Sequence, residues 1–264
     1  MAHEFIIVEK KDHLTIITLN RPERMNALHA PAHQELHAVM NEFSDDPDQW
    51  VCIITGAGEK AFSAGNDLKY QAEHHGSSVM RDGMKGVTSG FAGVTNRHDC
   101  LKPLIAAVNG FALGGGFEIA LACDIIIASE NATFGLPEPR VGLMAGAGGV
   151  HRLPRQMPYH AAMGVMLAGK RLSAEEAYNW GLVNEVVAPD KLLETAEHWA
   201  RECMLGAPIS IQATKEASTQ GLAMSLQEAL STQFPTSLKM QKSEDFIEGP
   251  KAFSEKRPPN WKGR

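Results

Sequence analysis

The sequence predicts an α/β fold in which short strands, tight turns and helices repeat, followed by an all-helical end. Apolar runs of strand length stand at 51–55, 104–108 and 124–128, the last opening on Asp124, and each stops at a turn residue: Gly56, Asn109-Gly110 and Ser129. Runs of this kind suit strands buried on both faces, as in parallel sheets. A helical period separates the later two, and from about residue 189 onward it replaces the strand pattern altogether.

In chain order, two β-branched runs open the sequence, FIIVEK and LTIITL, parted by Lys11-Asp12-His13 as a strand pair joined by a turn. Pro31 suits a first helical turn. Leu36, Val39, Met40 and Phe43 then give an apolar face at helical spacing until Asp45, Asp46 and Pro47 stop it. After the run at 51–55, residues 70–90 lack a clean period and carry Gly, Ser and Met, which reads as a mobile lid or pocket wall. A glycine-opened helix is predicted over 115–123, and further helices over 192–204, 209–221 and 225–240. The end, SEKRPPNWKGR, is basic and proline-rich. No low-complexity linker parts the chain, so residues 1–200 are read as one core and 201–264 as a helical region packed on the body or on a neighbouring subunit.

At 264 residues the chain lies near the upper limit of one hydrophobic core. A formal charge of -6, with no basic stripe carrying aromatics, argues against nucleic acid as a partner. Cys52, Cys100, Cys123 and Cys203 stand far apart without a C-x-x-C pair, the pattern of reduced thiols rather than of zinc or a redox dithiol. The longest apolar stretch, 119–128, is broken by Asp124 and too short to span a bilayer, and the start lacks a signal-peptide core. No membrane and a cytoplasmic location are therefore expected.

Three glycine-rich places could carry chemistry. Gly56-Ala57-Gly58 fits a dinucleotide fingerprint only superficially, because the residues after it, Phe62 to Asn66, continue extended instead of opening a helix. Ala64-Gly65-Asn66-Asp67 and Gly114-Gly115-Gly116-Phe117-Glu118 each follow a short strand and precede helix. Both can turn backbone N–H groups towards one point, which is an oxyanion hole. Glu118 falls in the first turn after the glycines, and Glu138 sits in the proline-fixed loop Phe134-Gly135-Leu136-Pro137-Glu138. Two carboxylates beside one such hole can divide acid and base roles.

These blocks carry a resemblance. AFSAGNDLK, AVNGFALGGGFEIALACDIIIAS and FGLPEPRVGLMAGAGG, in this order, are similar to the signature blocks of the enoyl-CoA hydratase/isomerase (crotonase) superfamily, as are NRPERMNAL and EKRPPNWKGR. The likeness implies the crotonase spiral, repeated ββα turns forming two sheets, with a C-terminal helical region that builds homotrimers or hexamers. It implies a hydratase-type lyase acting on 2-enoyl-CoA thioesters, with no cofactor beyond the CoA moiety of the substrate and no metal. By resemblance the amides of Ala64 and Gly115 hold the thioester oxygen. Met25, Ala27, Ala64, Gly65, Asn66, Asp67, Leu68 and Gly115 line the CoA site, and Glu118 (water activation) and Glu138 (proton transfer) are catalytic. Leu136 stands where many hydratases carry Gln, and Ala145 where many carry Pro. Both leave room for a carnitinyl-CoA dehydratase or an aryl-enoyl-CoA hydratase/lyase. An enoyl-CoA isomerase and a CoA-binding scaffold are further alternatives, and the presence of both glutamates speaks against each.

Other features read as structural. His29, His33 and His37, four apart, could line one helix face and ligate a metal, but Pro31 puts His29 at the helix start, and a solvated face is expected. His74 and His75 read as exposed. A triad built on Ser63 lacks its G-x-S-x-G elbow. Met80, Met84 and Met144 could shape an acyl pocket, and by the family resemblance Lys256 and Arg257 reach CoA phosphates across a subunit boundary, the alternative being a solvated tail.

Overall fold

A computed structural model describes residues 3–74 and 85–264. The predicted opening hairpin forms from β1 (Ile6–Lys11) and β2 (Leu14–Leu19), paired antiparallel from Ile6 with Leu19 to Lys11 with Leu14. Helix α1 (Ala30–Asp45) then crosses to β3 (Val51–Gly56), which lies parallel to β2. From there each turn of the chain repeats one unit. A longer strand is followed by a short strand, β4 (Ala61–Ser63), and then by α2 (Leu68–Glu73). Next come β5 (Leu104–Val108), β6 (Phe111–Leu113) and α3 (Gly115–Ala122), and after them β7 (Ile125–Ser129) and β8 (Thr133–Gly135).

Two sheets collect these strands among the described residues. With β9 (Leu172–Ser173) and β10 (Glu185–Val187), their orders are β1-β2-β3-β5-β7-β10 and β4-β6-β8-β9. This is the expected spiral of ββα units. Helices α4 (Gly149–Gln156), α5 (Tyr159–Ala168) and α6 (Ala174–Asn179) fill the stretch that the sequence pattern left unassigned.

The six-stranded sheet is apolar on both faces, which explains its unbroken hydrophobic runs. Ile17 and Leu19 of β2 and Phe43 of α1 belong to one cluster; Leu14, Ile16, Ile53, Ile105 and Ile127 belong to the other, against Leu192, Ala196 and Ala200 of α7 (Leu192–Met204). Each fully buried Ile or Leu contributes roughly 1.5–3 kcal/mol. Beyond α7, α8 (Pro208–Gly221) is where predicted, but the helix expected over 225–240 is two, α9 (Leu226–Ser231) and α10 (Pro235–Gln241). Pro235 drives the residue before it out of helical conformation, so it can start a helix but not continue one. A further helix, α11 (Glu244–Ser254), precedes the tail, which folds back as the Lys262 and Gly263 N–H groups donate to buried Asp245. Among the described residues no helix is long and apolar enough to cross a membrane.

Candidate active site

Strands β4 and β6 run parallel, so the two loops that leave them emerge side by side. Contact is close at the glycines. A Cβ on Gly65, whose φ is +83°, would lie 2.6 Å from the Gly115 nitrogen, and one on Gly116 would run into the Ser63 carbonyl. A second ribbon fixes the first loop from outside: Ala64 N–H donates to Met25 O (2.9 Å), Leu28 N–H to Gly65 O (2.7 Å) and Asp67 N–H to Leu28 O (2.9 Å).

That ribbon corrects one sequence-based assignment. The Ala64 N–H is spent on Met25, so it has no hydrogen left for a thioester oxygen. The amide of this loop that donates to nothing among the described residues is that of Asn66, two positions on. Gly115, first residue of α3, likewise has no acceptor for its N–H among the described residues. Two amides without acceptors on adjacent loops, one at a helix N-terminus, suit a developing oxyanion. The ring of Phe91, buried at 7 % exposure, stands against Gly115, where a Cβ would come within 2.5 Å of it.

Glu118 is one turn into α3 and only 3 % exposed. Its Oε1 accepts from Gly149 N–H at 2.8 Å. Leu136 and Ala145, both buried, close on the same point, since a Cβ on Gly149 would meet Ala145, Leu136 and Glu118 Oε1 at 2.9, 3.0 and 3.1 Å. Burial pushes the Glu118 carboxyl up to about 7, helped by the Glu138 charge and opposed by the Gly149 N–H and Arg152. Glu138 opens the 3-10 turn Glu138–Val141, brought to the start of α3 by the bond from Gly114 N–H to Gly135 O (2.9 Å). Its Oε1 lies where a Gly114 Cβ would approach within 2.9 Å, and its buried Oε2 has no partner among the described residues. Burial raises this carboxyl too.

The remaining predicted lining residues lie on the first loop and on the ribbon that fixes it from outside. Met25 and Asn66 are half-buried, Ala27 is buried and Leu68 exposed. Asp67 is committed within the protein: it caps α2 through Tyr70 N–H (3.0 Å) and pairs with Arg21 Nη1 (3.1 Å). Missed by the sequence reading was Asn26, whose buried side chain takes Arg21 N–H and donates to Ala57 O and Ala61 O. Left-handed at φ +53°, a conformation Asn tolerates, it braces both ribbons.

Other expectations change. His29 and His33 are buried at 7 % and 1 % instead of solvated, while the ring nitrogens of His37 lie against Ser89, Arg97 and Asn41. Among the described residues no cluster of three His, Cys, Asp or Glu could hold a metal. Arg257 forks onto Glu248 (2.6 and 2.9 Å) and bonds Glu255, so its guanidinium is taken up within its own chain. Ser63 Oγ bonds Asn26 O, and Met144 is 67 % exposed. His74 is exposed as expected, whereas His75, Met80 and Met84 lie outside the described residues.

The Enoyl-CoA hydratase/isomerase family model matches residues 9–264. Carnitinyl-CoA dehydratases of Salmonella arizonae and Citrobacter koseri are each 46% identical to the chain, covering 94% of it and 94% of their own lengths. The crystal structure of enoyl-CoA hydratase from Mycobacterium tuberculosis H37Rv superposes with a TM-score of 0.90 at 38% identity, over 98% of this chain and 99% of that one. That of the Bacillus anthracis enoyl-CoA hydratase gives 0.91 at 36%, over 99% and 100%. Fold, signature blocks and whole-length similarity agree: the chain belongs to the enoyl-CoA hydratase/isomerase family.

Proposed function

We propose that this chain is an enoyl-CoA hydratase-type hydro-lyase that adds water reversibly across the 2,3 double bond of a 2-enoyl-CoA thioester. The observation that carries the reading is the pairing of two carboxylates at one helix start, Glu118 buried and Glu138 half-buried with a buried oxygen that has no partner among the described residues. A scaffold would have no use for two desolvated carboxylates, which stability alone disfavours.

The thioester oxygen accepts from the Asn66 and Gly115 amides, which stabilise the enolate formed when C3 is attacked; each such donor contributes a few kcal/mol. Water between the carboxylates loses a proton to Glu118 as its oxygen bonds to C3, and Glu138 gives a proton to C2. The product has gained H and OH, and a proton passing from Glu118 back to Glu138 resets the pair. Burial raises both carboxyls, that of Glu118 to about 7, so they take up and release protons more readily than ordinary carboxylates. The CoA moiety arrives with the substrate and no other cofactor enters these steps.

A second reading, dehydration of a carnitinyl-CoA-type 3-hydroxyacyl thioester, runs the same steps backwards. The name of the 46% identical relatives, carnitinyl-CoA dehydratase, favours it. The test is incubation with crotonyl-CoA, a 3-enoyl-CoA, carnitinyl-CoA and feruloyl-CoA, following conjugated-thioester absorbance and free aldehyde. Hydration of crotonyl-CoA, or dehydration of carnitinyl-CoA, is expected; turnover of neither sinks both readings. Glu138→Gln should lower the rate by roughly 10²–10⁴-fold while thioester affinity holds.

A further inference from the structure

Arg152, on α4, is a half-buried cation that the reaction steps above do not use. Its backbone N–H donates to Gly148 O (2.8 Å), and its guanidinium lies over Gly148, where a Cβ would collide with it. Gly148 has a φ of +115°, a conformation that aims the next amide, that of Gly149, at Glu118 Oε1 (2.8 Å). The other arm of the guanidinium donates to Thr95 O at 2.8 Å. Thr95 N–H in turn bonds Phe91 O (3.2 Å), and the Phe91 ring stands against Gly115. The contacts thus close a ring that begins at Glu118 and returns to Gly115, one turn earlier on the same helix.

We propose that Arg152 is a positioning residue that holds the acid/base carboxylate and the oxyanion-binding helix start in one frame. This rests on the roles proposed for Glu118 and Gly115. A planar guanidinium can cover the Gly148 turn and donate to Thr95 at once, which an ammonium cannot do from the same stem. The charged groups bearing on Glu118 are Arg152 from α4 and Glu138 from the 138–141 turn. Strands β4, β5 and β6 and the 91–93 turn contribute none, since their residues are uncharged. Arg152 therefore also supplies the positive charge that offsets the burial of Glu118.

The test compares wild type with Arg152→Gln and Arg152→Lys. In pH–rate profiles for the thioester that turns over, Arg152→Gln should lower kcat about 10–100-fold and change KM less than about 3-fold. The ascending limb set by Glu118 near pH 7 should move up by about 0.5–1 unit. Arg152→Lys, keeping the charge but not the fork, should leave the limb in place and restore kcat only in part. An unmoved limb with kcat within about twofold in Arg152→Gln overturns the proposal, as does full wild-type kcat in Arg152→Lys. Carbon-13 NMR titration of the Glu118 carboxyl, assigned with Glu118→Gln, reads the same shift without substrate. A shift present while the wild type turns over no thioester would overturn the functional reading and uphold the positional one.

Discussion

Single residues carry burial that composition could not announce. His33 sits at 1 % exposure with Nδ1 accepting from Ala92 N–H (3.1 Å), so the neutral ring keeps its proton on Nε2. Burial, with the nearby His29, lowers it to about 4. The unfolded chain then binds this proton first, near pH 6.5, and folding loses stability as pH falls from about 6.5 towards about 4. The loss amounts to at most about 3 kcal/mol. Urea unfolding at pH 7 and pH 5 should show this slope in the wild type and a shallower one in His33→Leu; equal slopes would contradict it. Sequence spacing alone suggested a solvated histidine face, because a helical period tells which residues share a face but not whether a neighbouring loop covers it. The loop here, around Phe91 and Ala92, has no period of its own. The same limit explains Ala64: the glycine motif located the oxyanion loop, but which amide stays free depends on Met25, thirty-nine positions away in the chain.

Elements were legible where one pattern ruled and hidden where two competed. Strand β2, buried on both faces, ends as predicted, at Leu14 and Leu19. Helices α4 and α11 carry interior prolines, Pro154 and Pro250, which mask their period, and Pro235 divides what looked like one helix. At the level of helix against strand, glycine can be required or merely tolerated. Gly164 in α5 has nothing within 4 Å of a built Cβ, so Gly164→Ala should stabilise by about 0.5–1 kcal/mol. Gly116 in α3 has the same intrinsic preference for alanine, but its Cβ would meet the Ser63 carbonyl, part of the backbone of β4. Overpacking of that kind costs typically 1–3 kcal/mol and wins over propensity. Gly116→Ala should therefore lower stability and, by parting β4 from α3, lower turnover as well. A thermal melt in which both alanines stabilise would show that the strand can yield.

The whole molecule shows a contrast between a closed core and an open end. The two clusters that flank the six-stranded sheet leave little apolar surface there, yet in the C-terminal region Leu222, Leu226, Leu230, Ile247 and Phe253 are 72–89 % exposed. Leu226 and Leu230 lie one turn apart on the same face of α9. Single exposed leucines need no explanation, but five large apolar side chains left exposed within one helical region exceed what a free surface needs. The helical region beyond residue 200 was read from sequence as packing on the body or on a neighbouring subunit, and α8 and α10 do pack on each other through buried Glu216, which accepts Thr236 N–H at 2.8 Å. What that packing leaves uncovered points outward. We propose that it is covered by further copies of this chain in a closed homotrimer or hexamer, since closed symmetry satisfies every copy of the patch. Sedimentation velocity should give a trimer or hexamer mass for the wild type. Leu222→Asp combined with Leu226→Asp, both at exposed positions, should shift it towards the single-chain mass with the helical circular dichroism retained. A wild type that sediments as a single chain would leave the patch without this explanation, and an unshifted double variant would place the contact elsewhere on the surface.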